Sequence, residues 1–431
     1  MADALSAAST HHIEGFLFVV LLQLVVIILV ARAGGSLARQ LGQPRAVGEI
    51  VVGMMLGPSL FGLFFPEISD QIFHSVSSTP ITIISQIGLI LLMFQIGMDF
   101  DFSHLKDSRN RKAVSLIAFA CLVLPFILGF ALGKVTAASL APATNPLPYA
   151  LFLGTTLSIT GMPILGRIMM EFNLTRTQVG AITISSAAIN DVGGWLLLAV
   201  ISSLSTESFS VAATVKQFAL LGLYGLVFWY LVKPGLIWLI SRFDVTRHYL
   251  PPNLMALMLV MIFVSGMLTY KIGIFAIFGG FLVGVLVHEQ SAFAEAWKKF
   301  VGTFVLVFFL PVFFTYTGLR TDITGLNTLA LWQWCMVITL AACIGKFGGA
   351  YLGARIAGLD SRESSTIAIM MNTRALMALI VLNIGFDLGF IPQQLFTMLV
   401  IMAVFTTLIT APVLRHLLEK MGHVMPQGID A

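Results

Sequence analysis

Long apolar stretches alternate with short polar connections along almost the whole chain. Each stretch is about 20 residues long, the length that an α-helix needs to cross the hydrocarbon core of a bilayer. Lipid offers no hydrogen-bond partners to a backbone, so repeated spans of this kind predict helices. We predict an all-α integral membrane protein with about thirteen transmembrane helices, at residues 14–31, 46–63, 81–98, 113–133, 148–169, 179–203, 217–240, 252–270, 272–287, 300–319, 329–354, 364–383 and 393–414.

Basic residues are unevenly distributed among the connections. Alternate connections hold 18 of the 24 lysines and arginines, whereas the N-terminus and the other connections hold 4. Cytoplasmic loops carry the excess of Lys and Arg, so the richer connections are predicted to face the cytoplasm. This predicts an odd number of spans, an extracytoplasmic N-terminus at 1–13, a membrane domain at 14–415 and a short cytoplasmic tail at 416–431.

Composition agrees with a membrane location. Hydrophobic residues make up 58% of the 431 residues and charged residues 10%, and the mean hydropathy is +0.96, which excludes a soluble globular protein. The net charge of +4 lies in short loops rather than on one face, so it indicates topology and not nucleic-acid binding. The three cysteines lack metal-ligand spacing, and the N-terminus lacks the basic region of a cleaved signal peptide.

Three charged residues are predicted to lie near the middle of the membrane. Asp191 lies beside Asn190 in an otherwise uncharged stretch of the sixth segment, and Lys346 and Arg374 lie in the eleventh and twelfth. A charge at the centre of a membrane helix costs about 3 kcal/mol, so such residues are rare and predicted to be functional. Asp191 is therefore the first candidate for the chemistry of the protein.

Two short motifs recur seven segments apart. Residues 48–53 in the second segment resemble 279–284 in the ninth, and residues 97–102 after the third segment resemble 318–323 after the tenth. Because seven is odd, the second copy is predicted to enter the membrane from the opposite side. This pattern is typical of the inverted repeats of secondary transporters.

The repeat also indicates where helices are interrupted. In the fifth segment, hydroxyl residues precede a glycine and a proline, which disrupt helical hydrogen bonds, while the hydroxyls can satisfy freed backbone groups. A simple proline kink is the alternative. Unwound backbone in both repeats would direct carbonyls and helix ends to one midplane site. The residues concerned are Thr156, Ser158, Thr160, Gly161 and Pro163 in the fifth segment and Asn372 and Thr373 in the twelfth.

Five stretches form a specific set of motifs: GQPRAVGEIVVGMMLGPS (42–59), FQIGMDFD (94–101), AAINDV (187–192), LPVFFTYTGLRTD (310–322) and MNTRALMALIVLNIG (371–385). Together they resemble the monovalent cation:proton antiporters, in particular the branch that contains Kef-type potassium systems and plant cation/proton exchangers. The resemblance extends from about residue 30 to residue 415.

This resemblance implies thirteen helices in a sodium/proton antiporter-like fold. It implies a homodimer with elevator-like alternating access, in which helices 3–6 and 10–13 form a mobile core and helices 1–2 and 8–9 form a dimerisation part. It further implies that Asp191 is the carrier carboxylate, that the broken crossing segments lie around Thr160 and Thr373, and that Lys346 matches the core lysine of the family.

The chain departs from the family pattern at one motif. Relatives often read Met-Asn-Thr-Arg-Gly-x-x-Glu, whereas Ala375 and Ala378 stand at the Gly and Glu positions here. The partner of Arg374 is therefore left open. The chain also ends at Ala431, without the long soluble region of many relatives, so nucleotide control is not expected.

Asp191 is predicted to bind either a proton or a monovalent cation, in competition. Asn190, Thr156, Ser158 and Thr160, together with freed carbonyls, form an oxygen-rich set that suits a hard cation stripped of part of its water. The predicted metal ligands are Asp191 and Asn190, for Na⁺ or K⁺. One carboxylate that serves one ion at a time predicts electroneutral, one-for-one exchange.

The other buried charges have several possible roles. Lys346 either pairs with Asp191 in the ion-free state, loses its own proton, or only stabilises the structure. Arg374 is predicted to fix the geometry of the helix break. Glu49 follows Arg45 by four residues, so we predict a local ion pair, with a gate or dimer contact as the alternative.

The sequence thus predicts a cell-membrane antiporter that exchanges Na⁺ or K⁺ for H⁺, without a cofactor or a nucleic-acid partner. An enzyme is not expected, because the sequence shows no phosphate-binding glycine loop, metal cluster or nucleophile triad. Two alternatives remain. One is an organic-anion transporter on a related fold, in which Arg374 and Lys346 bind a carboxylate substrate. The other is a sensor or partner subunit that does not transport.

Overall fold

The computed structural model describes residues 2–74, 78–99, 108–174, 177–204, 211–273 and 275–421, which are helical apart from short connections. The α-helices of this described part are α1 (Ala2–Gln40), α2 (Arg45–Met55), α3 (Phe61–Phe64), α4 (Pro66–Ser69), α5 (Thr79–Met98), α6 (Ser108–Leu140), α7 (Pro146–Ser158), α8 (Met162–Glu171), α9 (Gln178–Leu204), α10 (Val211–Val227), α11 (Lys233–Ser241), α12 (Pro252–Ile272), α13 (Ala276–Val287), α14 (Ser291–Trp297), α15 (Leu310–Leu319), α16 (Leu329–Ile356), α17 (Ser361–Met371), α18 (Ala375–Asp387) and α19 (Gln393–Lys420). π-helical turns occur at Asp70–His74, Phe228–Val232, Lys298–Gly302 and Val305–Phe309.

Each apolar segment predicted from the sequence coincides with a helix or with consecutive helices. In the described part of the chain, eight helices are long and apolar enough to cross a membrane, or up to ten if each of two bent pairs is one span. The all-helical, multi-span architecture is therefore confirmed, while thirteen crossings and their orientation remain predictions. Residues 100–102 of the repeat and 422–431 of the predicted tail lie outside the described residues.

Two predicted segments are broken near their middle. α7 and α8 are separated by residues 159–161, and α17 and α18 bend by 40° across residues 372–374. Each first half has its own start signal, since α7 begins at an Asn145 cap and α17 at a capping box of Asp360 and Glu363. The first half of each interrupted helix thus has its own N-terminal cap.

The chain divides into two compact units, of which unit 1 comprises Met1–Leu92 and Trp297–Thr324. In this unit α2 and α15 cross at glycines, because a Cβ on Gly318 would collide with the carbonyl oxygen of Gly53. Small residues let membrane helices approach this closely. Buried apolar side chains pack beside the crossing: Ile27, Leu56, Phe73, Ile81, Val312 and Tyr316.

Unit 2 comprises Met93–Ala296 and Gly325–Ala431 and contains both broken helices. Here α16 packs along α6 through glycines spaced four residues apart. A Cβ on Gly349 would lie 2.5 Å from the carbonyl oxygen of Ala120. This close approach sets Lys346 of α16 directly against α6. The glycines are Gly345, Gly349 and Gly353.

A second glycine crossing, between α5 and α13, lies within unit 2. A Cβ on Gly284 would collide with the carbonyl oxygen of Phe94, and the Cα of Gly97 would lie 2.9 Å from it. In the predicted repeat Gly53 corresponds to Gly284, and Gly97 corresponds to Gly318. One crossing therefore pairs Gly53 with Gly318, and the other pairs their repeat equivalents, Gly284 and Gly97. This agreement supports the repeat, and its orientation in the membrane stays a prediction.

The compact units do not coincide with the core and dimerisation part expected from the family. The predicted helix 10, which contains α15, was expected in the core but belongs to unit 1. The predicted helix 9, which contains α13, was expected in the dimerisation part but belongs to unit 2. A division by compactness does not show which parts move or dimerise. The partition into a mobile core and a dimerisation part therefore stays a prediction.

Candidate functional site at the crossing of two helix breaks

The breaks in the two interrupted helices meet in unit 2. The N–H of Gly161 donates to the carbonyl oxygen of Thr373 at 2.7 Å. A Cβ on Gly161 would lie 2.7 Å from the carbonyl oxygen of Arg374, so only glycine fits without displacing backbone. Asn372 is buried at the same crossing. Pro163 lies in the first turn of α8, where a missing N–H is tolerated. Only its backbone is among the described parts of the structure.

Asp191 of α9 lies close to the start of α8. Its side chain is 4% exposed, and neither carboxylate oxygen accepts a hydrogen bond from the described residues. The N–H of Met162, the first residue of α8, lies near the carboxylate without completing hydrogen-bond geometry. A helix N-terminus favours negative charge. The Asp191 carboxylate is thus buried, and no described protein group donates a hydrogen bond to it.

Lys346 is completely buried and occupies a cage of oxygen atoms. Its ammonium donates to Asn190 Oδ1 at 2.8 Å, to the carbonyl oxygen of Cys121 at 3.1 Å, and to the carbonyl oxygen of Ser158. These three acceptors match the three N–H groups of an ammonium. Lys346 does not hydrogen-bond to Asp191, so the direct pair left open by the sequence is not formed in this structure.

Arg374 occupies the C-terminal end of α7. Its Nη1 donates to the carbonyl oxygens of Leu157 and, at 3.4 Å, Thr156, and its Nη2 donates to that of Ala342 at 2.6 Å. The last carbonyls of a helix lack intrahelical partners and attract positive charge. The partner left open by the alanine at position 378 is therefore a broken helix end rather than a carboxylate.

The predicted hydroxyl ligands differ in what they already bind. Thr160 Oγ1 donates to Asn190 Oδ1 at 2.9 Å. Ser158 Oγ donates to two backbone carbonyls, of α6 at 2.9 Å and of α7 at 2.8 Å. Thr156 Oγ1 is buried and has no hydrogen-bond partner among the described residues. Of these hydroxyls, that of Thr156 resembles the Asp191 carboxylate in having unused hydrogen-bonding capacity.

Glu49 belongs to unit 1, whereas the residues at the two breaks belong to unit 2. Its side chain is 4% exposed, and its Oε1 would lie 3.2 Å from a Cβ built on Gly35 of α1. The ion pair with Arg45 and the gate or dimer role of Glu49 remain predictions.

Sequence reasoning missed Thr407 of α19. Its Oγ1 accepts hydrogen bonds from the N–H groups of Arg374, at 3.4 Å, and Ala375, at 3.1 Å. These amides open α18 and have no intrahelical acceptor, so Thr407 acts as a cap supplied by another helix. Thr373 Oγ1 also donates to Thr410 Oγ1 at 3.4 Å. The available signal was a group of threonines in an otherwise apolar span.

Charge at the site follows the helix ends. The two cations bind carbonyls at the C-terminal end of α7, and the carboxylate lies near the N-terminal end of α8. No group of three His, Cys, Asp or Glu side chains in the described residues could hold a metal ion. The single carboxylate beside the two breaks, that of Asp191, has hard oxygen donors that suit a proton or a hard monovalent cation.

Comparisons with known proteins agree with this chemistry. The family model "Sodium/hydrogen exchanger, transmembrane" matches residues 25–420. The chain is 34% identical over 409 residues to the Na⁺/H⁺ antiporter NhaS4 of Synechocystis, which covers 94% of this chain and 99% of that protein. It is 35% identical over 409 residues to cation/H⁺ antiporter 18 of Arabidopsis thaliana, covering 95% of this chain and 50% of the relative. The chain thus spans about half the length of that plant protein.

A solved structure shares the fold. The sodium proton antiporter MjNhaP1 from Methanocaldococcus jannaschii superimposes with a TM-score of 0.67 at 16% identity, covering 94% of this chain and 98% of that one. The family consists of multi-pass membrane transporters of Na⁺ or K⁺ and H⁺ rather than enzymes, and no cofactor is indicated for it. The extent of the family match and the identity to the Synechocystis protein show that the chain belongs to the sodium/hydrogen exchanger family, within the monovalent cation:proton antiporter superfamily.

Proposed function

We propose that the chain exchanges one monovalent cation, Na⁺ or K⁺, for one proton, and that Asp191 binds either ion. The observation that carries this proposal is the state of the Asp191 carboxylate. It is buried, and both of its oxygens lack a hydrogen-bond partner in the described part of the protein. A buried carboxylate without partners is costly, so binding a proton or a cation relieves that cost.

Thr156 and Asn190 are the side chains proposed to complete the cation site with Asp191. Thr156 supplies an unpartnered hydroxyl oxygen. Asn190, the neighbour of Asp191 in the chain, supplies an amide oxygen that accepts from Thr160 and Lys346 in this structure and would exchange these hydrogen bonds for the cation. Backbone carbonyls freed at the breaks add further oxygen ligands. Ser158 and Thr160 are assigned a supporting part, since their hydroxyls already bind backbone carbonyls and Asn190.

Alternating access is the proposed transport cycle. A proton and a cation compete for the same carboxylate, so release of one ion on either side of the membrane accompanies binding of the other. Because one carboxylate carries one positive charge at a time, the exchange is electroneutral. Elevator-like motion, a homodimer, the N-out, C-in orientation and a cell-membrane location belong to the same proposal. They are supported by the motif resemblance and by the distribution of Lys and Arg.

Lys346 and Arg374 are assigned a structural and electrostatic role. Their acceptors are backbone carbonyls at the end of α7 and elsewhere in unit 2, and the side chain of Asn190. An organic-anion transporter would need these cations directed at a substrate carboxylate. Their engagement by protein oxygens therefore favours cation exchange over that alternative.

Proteoliposomes test the proposal directly. Vesicles with an acidic lumen are exposed in turn to NaCl, KCl, LiCl and RbCl, and the rise in internal pH is followed with a fluorescent dye. We expect cation-driven proton efflux from the wild type and from the control variant Glu295→Gln. In the wild type, the Glu295 carboxylate pairs with Arg247 at 2.8 Å on the surface. The Asp191→Asn variant should show no efflux. Antiport by Asp191→Asn at the wild-type rate would overturn the proposal.

The stoichiometry has its own test. A membrane potential is imposed with potassium and valinomycin, and Na⁺ or Li⁺ serves as the transported ion. Electroneutral exchange predicts the same rate with and without the potential. Uptake driven by the potential would exclude the one-for-one ratio while leaving Asp191 as the carrier.

A further inference from the structure

A proline inside α6 exposes a backbone carbonyl to the site. Pro125 lacks an N–H, so the carbonyl of Cys121, four residues earlier, loses its intrahelical donor. That carbonyl instead accepts a hydrogen bond from Lys346 Nζ at 3.1 Å. The neighbouring carbonyl of Leu122 accepts one from Ser158 Oγ at 2.9 Å. The proline turn of α6 thus presents two consecutive carbonyls to polar side chains of other helices.

Packing of α16 against the same turn brings Lys346 to this carbonyl. A Cβ on Gly345 would lie 2.9 Å from the Cα and 3.1 Å from the Cβ of Pro125, so the glycine lets α16 rest on the proline. Lys346 follows directly in the chain. The contact is reciprocal, because Cys121 Sγ lies 3.8 Å from the backbone oxygen of Lys346 and donates to it.

The Lys346 ammonium binds one of two neighbouring residues on α9. Asn190 and Asp191 are adjacent on α9, yet Lys346 donates to Asn190 and leaves both oxygens of Asp191 without a hydrogen bond. A cation site at Asp191 requires this arrangement, because an ammonium paired with the carboxylate would compete with the transported ion.

We propose that Pro125 is a positioning residue for ion exchange. By freeing the carbonyl of Cys121, it anchors the Lys346 ammonium beside Asn190 and holds it off Asp191, so that the carboxylate stays available to the cation. Pro125 itself touches no ion and acts through Lys346. This role rests on the proposed function of Asp191.

The Pro125→Ala variant tests the anchor. The restored N–H donates to the Cys121 carbonyl along the helix, so Lys346 loses one of its three acceptors and moves toward Asp191. Loss of one charge-assisted hydrogen bond predicts a rise of about 10-fold in the KM for the driving cation. The kcat should stay within about 2-fold of wild type, since the carrier group is intact. NaCl, KCl, LiCl and RbCl are each used as the probe in proteoliposomes.

A variant that lacks the Lys346 ammonium distinguishes positioning of that ammonium from a general structural effect of losing Pro125. In the Lys346→Gln background, Pro125→Ala should leave the KM unchanged, because no ammonium remains to be anchored. Pro412→Ala removes a proline inside another helix, α19, and should keep the wild-type KM. An equal rise in KM in both backgrounds, or no rise in the wild-type background, would overturn the role of Pro125.

For variants that fold but do not transport, cation binding is measured in place of the KM. The salt concentration that half-maximally stabilises each purified protein against heat in detergent should shift in the same pattern as the KM. Gly345→Ala provides a second variant, since its added Cβ displaces α16 from Pro125 and should raise the KM only when Lys346 is present. Asp191→Asn is assayed in parallel. Antiport by that variant overturns the proposed function, whereas its inactivity together with an unchanged KM in Pro125→Ala overturns only the positioning role.

Discussion

Gly161 and Thr373 join the two helix breaks through one backbone hydrogen bond, in which the N–H of Gly161 donates to the carbonyl oxygen of Thr373 at 2.7 Å. Neither group takes part in the hydrogen-bond ladder of a helix. Non-helical backbone at membrane depth is tolerated where protein groups satisfy it, and here each break satisfies the other. The geometry of the crossing is therefore set by backbone atoms and should respond to any added side-chain volume.

The Gly161→Ala variant should lose most transport. Its Cβ would lie 2.7 Å from the carbonyl oxygen and 2.9 Å from the carbonyl carbon of Arg374, so one break must shift relative to the other. A displacement of this size at a reacting site reduces rates by about 100-fold. Proton efflux from proteoliposomes measures the loss. Gly166→Ala in α8, the helix that follows the break, is the control, because a Cβ there meets nothing within 4 Å. Equal losses in both variants would refute the close-approach explanation.

Arg374→Ala should destabilise the folded protein. The substitution leaves the carbonyl oxygens of Thr156, Leu157 and Ala342 without this donor in a buried site. Each unsatisfied buried group costs about 1–3 kcal/mol, so we expect a clearly lower thermal midpoint in detergent. Arg374→Lys keeps the charge but not the fork of donors and should fall between the two. A thermal midpoint of Arg374→Ala equal to that of the wild type would show that these hydrogen bonds do not support the break.

The sequence predicted the breaks because their signals are local. Gly161 and Pro163 follow a run of hydroxyl residues, and Asn372 and Thr373 interrupt an apolar segment, so each break is marked by residues at the break itself. The burial of Asp191 was predictable for the same reason, since a lone acid in an apolar run is visible without knowledge of any partner.

The partners of the buried cations could not be predicted in this way. Asn190 and Asp191 are consecutive, and on a helix they point about 100° apart. Which of them faces Lys346 depends on how α9 and α16 are rotated in the packed fold, and no local signal in the sequence encodes that rotation. The cap that Thr407 gives to α18 likewise depends on contacts between distant helices.

Thr407→Val should weaken the start of α18. The hydroxyl that accepts the N–H groups of Arg374 and Ala375 is lost while the shape of the side chain is kept. Replacing a cap of this kind costs about 1 kcal/mol, which predicts a lower thermal midpoint. Thr407→Ser retains the acceptor and should stay close to wild type. Thr82→Val controls for the substitution, because that exposed hydroxyl only bonds to the carbonyl of its own turn. A Thr407→Ser variant as unstable as Thr407→Val would point to lost packing of the methyl group instead.

Thr156→Val and Ser158→Ala should have opposite effects if only the former removes a cation ligand. Thr156 Oγ1 has no hydrogen-bond partner in the described residues, so its loss should leave the thermal midpoint unchanged and raise the KM for the cation by about 10-fold. Ser158 Oγ donates to two backbone carbonyls, so its loss should lower stability by about 1 kcal/mol and leave the KM unchanged. Parallel transport and thermal unfolding measurements distinguish the two. A raised KM in Ser158→Ala with no loss of stability would make its hydroxyl a ligand and reverse the assignment, because a hydroxyl engaged only with backbone contributes to folding and not to ion affinity.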